Sequence, residues 1–308
     1  MQKLNKPKDS PILQQKLKAF QPIYTLETTI GVLVFCSVIF SVFGIVLYSQ
    51  AGKLTEHVFD YTKCKKEICT KTKNIPEIEP PVYVYYELNN FYQNHREYMK
   101  SRSYKQLMGN DLTYDEISEC KGVRKGKSLF EDYYLDGSPI DDEDVANPCG
   151  LVARSVFNDT FTLTNSKGED VSISTDGIAW KSDKNILFRH PKNYTDKTWI
   201  DTEDERFIVW MRTALTKNFR KMWGIISRKD PLPAGDYTIT INNSYDMSKW
   251  HGRKKFVITN ANALGGKNYF LGIIFLLTGL LCLFVSLFFC GRAMISKKGS
   301  ISVDQLTW

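Results

Sequence analysis

Thr28 to Tyr48 reads TTIGVLVFCSVIFSVFGIVLY, and Tyr269 to Gly291 reads YFLGIIFLLTGLLCLFVSLFFCG. Neither run contains a charged residue. A helix needs about 20 residues to cross a hydrocarbon core of roughly 30 Å, and both runs reach that length. A soluble core helix this long would carry polar residues along its outer face, and neither run does. Both are expected to be transmembrane helices.

Working outward, the formal charge of +7 divides unevenly over the 308 residues. Before the first span, Lys3, Lys6, Lys8, Lys16 and Lys18 stand against Asp9 and Glu27, a surplus of +3. After the second, Arg292, Lys297 and Lys298 stand against Asp304, a surplus of +2. The remaining +2 is spread over the 220 residues between the spans. A near-neutral domain argues against nucleic-acid binding. Short basic flanks are retained in the cytosol, so both tails are expected there and the middle segment on the exoplasmic side. The expected divisions are a cytosolic tail (1–27), span (28–48), exoplasmic domain (49–268), span (269–291) and cytosolic tail (292–308). Ser49-Gln50-Ala51 loosely fits a signal-peptidase site. The apolar run before it is longer than a signal-peptide core and follows a hydrophilic leader, so an uncleaved anchor is the better reading.

The remaining chemistry agrees with that topology. Cys36, Cys282 and Cys290 belong to the spans, whereas Cys64, Cys69, Cys120 and Cys149 fall in the middle domain. Four cysteines facing an oxidising compartment suggest two disulfides, with three connectivities open. The short-range pairing, Cys64–Cys69 with Cys120–Cys149, is favoured; loop entropy would make these bridges worth roughly 2 and 3–4 kcal/mol. Zinc-type cysteine spacing is absent and His57, His95, His190 and His251 are scattered, so no metal or other cofactor is expected. Three N-glycosylation sequons lie between the spans, at Asn158, Asn193 and Asn242, and none in either tail.

Within the spans, Ser37, Ser41 and Gly44 share one helical face, and Gly272, Gly279 and Ser286 recur every seven residues on another. Helices in lipid associate by close packing, so such faces mark contacts, either between the two spans or with a larger membrane partner. In the N-terminal tail, Leu13, Leu17 and Phe20 sit at helical spacing beside Lys16 and Lys18, ending at Pro22. This is either a short amphipathic helix, lying on the anionic cytosolic leaflet or docking on a partner, or an ordinary basic flank.

The middle domain reads as antiparallel and β-rich (α+β). Phe161 to Thr164, Val171 to Ser174 and Tyr237 to Ile241 alternate as half-buried strands do, and Phe256 to Thr259 is a compact apolar run. Turn signals such as Lys167-Gly168 and Pro233-Ala234-Gly235-Asp236 separate them. Glu203 to Trp223 is predicted as a helix, with Phe207, Val209, Trp210, Leu215 and Phe219 among its apolar positions.

Enzyme signatures fail on inspection. Gly122-Val123-Arg124-Lys125-Gly126-Lys127-Ser128 has three residues between its glycines where a phosphate loop has four. Asp196-Lys197-Thr198 echoes a phosphorylated-aspartate motif, but Trp199 stands where glycine is needed. The run Asp141 to Asp144 lacks the spaced ligands and glycine of a calcium loop. It is better read as neutralising the basic run Lys121 to Lys127 within the same disulfide loop. A non-catalytic protein is expected, with a pump-independent cell-surface receptor or adhesion glycoprotein as one reading.

Longer motifs point elsewhere. NPCGLVARSVFNDTF (Asn147 to Phe161), GIAWKSDKNILFRHP (Gly177 to Pro191) and WMRTALTKNFRKMWGII (Trp210 to Ile226) occur in that order. LPAGDYTITINNSYDMSKWHGRKKFVITNANALGGKNYFLGI (Leu232 to Ile273) follows, and QQKLKAFQPIYT precedes the first span. Together they resemble the cell-division-control-fifty, or ligand-effect-modulator-three, family of accessory β-subunits of type IV P-type ATPases, the lipid flippases. The resemblance covers most of the chain. It implies a 1:1 complex with the ten-span catalytic subunit and residence in the endoplasmic reticulum, Golgi or endosome, or plasma membrane. It also implies support for the partner's folding, exit from the endoplasmic reticulum and transport of phospholipid to the cytosolic leaflet. Family disulfides map onto Cys64–Cys69 and Cys120–Cys149, and a family glycan onto Asn158. The chain departs from the pattern in one place: many relatives have four cysteines in the first region, and this one has two.

Overall fold

A computed structural model describes residues 10–17, 25–64, 67–262 and 265–295. In chain order, helix α1 (Leu26–Gly52) precedes strands β1 (Glu56–Asp60), β2 (Ile68–Ile75) and β3 (Val82–Asn89). Short helices α2 (Arg96–Lys100), α3 (Tyr104–Leu107) and α4 (Leu151–Arg154) lead to β4 (Thr160–Thr164) and β5 (Asp170–Val171). Helix α5 (Glu205–Met211) is followed by β6 (Phe219–Ser227), β7 (Gly235–Asn242), β8 (Arg253–Asn260) and helix α6 (Phe270–Ile295). Two compact units result: one holds α1 and α6, the other residues 53–267.

The helical unit is a hairpin of two membrane-spanning helices, 27 and 26 residues long. At 1.5 Å per residue each reaches about 40 Å, more than the hydrocarbon thickness. Thr25 caps α1, its hydroxyl accepting from the Thr28 amide at 3.2 Å. Asn268 caps α6 in the same way, accepting from the Phe270 amide at 2.8 Å. Phe35, Val38, Phe43, Phe284 and Phe288 point outward and are more than half exposed, as lipid-facing side chains should be. Of the N-terminal stretch, Ile12, Leu13 and Leu17 are exposed and residues 11–15 form turns. Lys18, Phe20 and Pro22 lie outside the described residues, as does most of the C-terminal tail.

The second unit is built from two four-stranded antiparallel sheets, ordered β1-β8-β3-β6 and β2-β7-β4-β5. Alternation drives each sheet: Val82, Val84, Tyr86 and Leu88 of β3 are buried on one face, and Tyr237, Ile239 and Ile241 of β7 likewise. The two inner faces share one core. Phe161 of β4 joins them, its ring 5.1 Å from Trp223 of β6 and 4.8 Å from Phe256 of β8. Burying such a side chain contributes about 1.5–3 kcal/mol.

Two sequence expectations need correction. The helix expected over Glu203 to Trp223 stops at Met211, and Phe219 to Ser227 is a strand. Phe219, counted among the helix's apolar positions, instead begins a period-two alternation in which Lys221, Trp223 and Ile225 also face inward. The strand expected over Val171 to Ser174 is cut to Asp170–Val171, because Ser174 leaves that sheet to form a bridge with Ile225 of β6.

Candidate functional site

Both disulfides, Cys64–Cys69 and Cys120–Cys149, are formed. The second closes a loop around a small core of its own, Ile117, Cys120, Ala146 and Cys149. Inside that loop the acidic and basic runs pair: Glu143 receives Lys125 and Lys127, the latter at 3.4 Å. Their backbones also join, the Gly126 amide donating to Asp144 at 2.9 Å and the Ala146 amide to Arg124 at 3.0 Å. Gly126 therefore serves close strand approach, since a Cβ there would overlap the Asp141 carbonyl. Lys197 of the Asp196-Lys197-Thr198 fragment pairs with Asp111 at 2.7 Å, and Thr198 is buried against the Tyr194 carbonyl. Among the described residues, no three His, Cys, Asp or Glu side chains gather as metal ligands would.

The long motifs, separated in sequence, meet in the interior. Gly150 has φ +103°, and a Cβ would overlap the Ser101 backbone, so the Asn147-Pro148-Cys149-Gly150 turn requires glycine there. Gln106 spans that turn, accepting from the Cys149 amide and donating to the Ala146 carbonyl, both at 3.0 Å. The indole of Trp199 donates to Pro148 and that of Trp210 to Val152, both at 2.8 Å. Asp183 of the second motif is buried and takes a two-pronged ion pair from Arg212 of the third.

Two buried lysines hold the arrangement. Lys221 donates to the carbonyls of Val209, Trp210 and Arg212 at 3.1, 2.5 and 2.6 Å, at the negative end of α5. Burial pushes its ammonium well below the usual lysine range, and nearby Arg102 adds to this. Lys254 reaches Asp159 at 2.7 Å, with Asn243 and the Tyr245 carbonyl each at 2.5 Å. Asp159 also accepts from the Tyr61 hydroxyl at 2.8 Å and the Tyr245 amide at 2.6 Å. Burial lowers Lys254 and the Asp159 charge opposes that; burial followed by Asp159 raises Tyr61 well above the usual phenol range. Each charge thus has the partners that a low-dielectric site demands.

The small-residue stripes of the hairpin face each other. A Cβ on Gly279 would lie 2.6 Å from the Ser41 hydroxyl, and one on Gly44 2.7 Å from Leu276. A Cβ on Gly272 would lie 2.8 Å from the Tyr48 amide. Ser37 and Ser286 are buried in the same unit. Of the two occupants the sequence leaves open for these faces, the neighbouring helix of the same chain fills them here. The sequon residues Asn158, Asn193 and Asn242 are all exposed, as are Thr160, Thr195 and Ser244 two positions on. Asn158 points to solvent while Asp159 beside it enters the core.

Residues 46–299 match the model of the LEM3 (ligand-effect modulator 3) family / CDC50 family. The chain belongs to this family. Its CDC50 relatives include ALA-interacting subunit 3 of Arabidopsis thaliana, 35% identical over 98% of this chain and 90% of the relative. Cell cycle control protein 50A of Mus musculus is 33% identical, over 90% and 86% respectively. A protein named phospholipid-transporting ATPase accessory subunit CRF1, from Saccharomyces cerevisiae, is 30% identical over 93% and 85%.

Within this CDC50-family chain, sequence reasoning located the motifs but not the work of their polar residues. Lys254, Asp159, Lys221 and Asp183, to which the sequence assigns no role, are each buried. A signal was present: each lies in or beside an apolar run where a solvent-facing charge is out of phase with its neighbours.

Proposed function

We propose that this protein is the non-catalytic accessory (β) subunit of a type IV P-type ATPase that moves phospholipid from the exoplasmic to the cytosolic leaflet. The observation that carries this reading is similarity over nearly the whole chain to proteins named as interacting or accessory subunits, one of them of a phospholipid-transporting ATPase. The two spans and the β-rich domain suit that role. In this reading both termini are cytosolic, residues 49–268 are exoplasmic, and Asn158, Asn193 and Asn242 carry glycans. The partner performs ATP hydrolysis. This chain binds a subset of the pump's conformations and stabilises them by mass action, which supports folding, exit from the endoplasmic reticulum and the transport cycle together.

The test is to solubilise the protein from its native membrane in mild detergent and identify what co-purifies in stoichiometric amount. The expected result is a 1:1 partner of P-type ATPase size whose ATP hydrolysis is stimulated by phospholipid only in the complex. Recovery of this chain alone, or with a soluble ligand, would favour a pump-independent receptor or adhesion role instead.

A further inference from the structure

Some polar side chains of the long motifs have partners in the interior; others point outward, and several of these converge. Arg154, from the first motif, and Lys249 and Trp250, from the fourth, line one open groove of about 800 Å³. Tyr92, Phe130 and Tyr245 supply further aromatic wall. Trp250 is 50% exposed and Tyr92 52%, a large apolar area to leave in water at a concave site. The volume falls in the range of ligand-binding clefts, roughly 300–1,000 Å³.

The acidic side chains of the groove have partners of their own, whereas, among the described residues, its basic side chains do not. Glu97 on its rim is matched by Lys121 at 3.6 Å. Asp246 is held below the usual carboxylate range by hydrogen bonds from Ser248, with Lys249 and Lys254 adding to this. Lys249 forms no ion pair among the described residues. Arg154 forms no ion pair among the described residues. The groove therefore offers aromatic faces beside two cations, Arg154 and Lys249, without a carboxylate partner. Its complement is an extended segment placing an aromatic or large apolar side chain next to a carboxylate. Arginine and exposed aromatics are also the residues that most often dominate protein–protein binding energy.

We propose that this groove receives an acidic, aromatic segment from an exoplasmic loop of the catalytic subunit; this rests on the accessory-subunit reading. The segment's carboxylate meets Arg154, and its apolar side chain lies between Trp250 and Tyr92. The groove walls are tied to the rigid interior through α4 and the Tyr245 hydrogen bonds to Asp159 and Ser155, so the site is formed before the partner arrives.

The experiment replaces Tyr92 with the photocrosslinker p-benzoylphenylalanine in the full-length chain, in its native membrane, and maps the crosslinked peptide by mass spectrometry. The expected product is a crosslink to an exoplasmic-loop peptide of a P-type ATPase that contains Asp or Glu. Arg154→Glu should lower its yield at least five-fold, whereas Arg154→Lys should largely retain it. Crosslinks to lipid, to glycan or to a second copy of this chain, or none at all while the ATPase still co-purifies, would overturn the groove assignment and leave the accessory role standing. Absence of any ATPase from the wild-type complex would remove that role and this inference with it. Arg154 and Tyr92 are exposed, so neither change threatens folding.

Discussion

The two units solve the problem of close packing in opposite ways. In the helical hairpin, α1 and α6 approach because side chains are missing: Gly44, Gly272 and Gly279 leave no room for a Cβ. In the β-rich domain, charged side chains are driven inward instead, and Lys221, Lys254, Asp159 and Asp183 sit almost out of contact with water. The difference follows from the solvent. Lipid exerts no hydrophobic force between two apolar helices, so contact distance and dispersion must hold them. Around the second unit water supplies that force generously. Its remaining problem is to choose one arrangement of its strands and loops, and a buried charge with a single set of partners would exclude the alternatives. Variants that remove one partner or both distinguish such a role from a net gain in stability.

The largest effect is expected from Asp159→Ala, which strands the Lys254 ammonium in the core and should cost about 3–5 kcal/mol. The sequon at Asn158 survives this change, so glycosylation does not confound it. Replacing both partners, Asp159→Leu with Lys254→Met, should be far milder if the pair confers uniqueness rather than net stability. Five of the six tryptophans lie in this domain and the sixth, Trp308, lies in the C-terminal tail, so tryptophan fluorescence of a Trp308→Phe background during thermal unfolding reads this domain. A double variant as unstable as the single one would break the comparison, because the pair would then be a net source of stability.

Lys221→Met is the next test, expected to cost about 2–3 kcal/mol by leaving the α5 carbonyls without a donor. The same fluorescence transition would register it. A variant as stable as the wild type would mean that water replaces the ammonium, and that Lys221 does not anchor the strand β6.

In the hairpin, Gly279→Leu must push against Ser41 and is expected to cost about 1–3 kcal/mol. Gly291→Leu meets open space and should cost nothing. Splayed helices expose Cys36 and Cys282, so faster labelling by a thiol reagent in detergent reports the effect without any partner present. Unchanged labelling combined with reduced recovery of an ATPase would shift the stripe's role from the hairpin to the partner.

The same contrast explains what could be read from the sequence. The spans were legible because lipid imposes one rule on every residue of a helix. Strands β4, β7 and β8 were legible because their buried faces are apolar. Strand β2, with Thr70, Lys71, Thr72 and Lys73 exposed, carries no such signal and is held by pairing to β7. The region from Glu203 to Trp223 misled because Phe219 suits a helical apolar face as well as a strand, and the inward position between it and Trp223 is filled by Lys221. A buried charge is invisible to any pattern that equates apolar with inside. The groove was illegible for a different reason: Tyr92, Arg154 and Trp250 come from separate segments, and only the fold makes them neighbours.

The smallest expected effect concerns His57 on β1, whose Nε2 is buried with no hydrogen-bond partner among the described residues. Burial, then Lys73 and Lys267, depresses its imidazole below the ordinary value of about 6.5. The folded state thus binds fewer protons here than the unfolded chain, and stability rises with pH. His57 imposes no cost above the ordinary value, and stability is lost as pH falls through about 6.5 toward the depressed folded value. Glu87 is a separate matter: Lys255 and Arg220 outweigh its burial and lower its carboxyl, so its contribution disappears only in the acid range below about 4.5. The melting temperature of the wild type should therefore already fall between pH 7 and pH 5, and His57→Phe should flatten that slope. Added salt should flatten it in part, because it screens the two lysines and not the burial. An unchanged slope in His57→Phe would assign the acid sensitivity of this domain elsewhere.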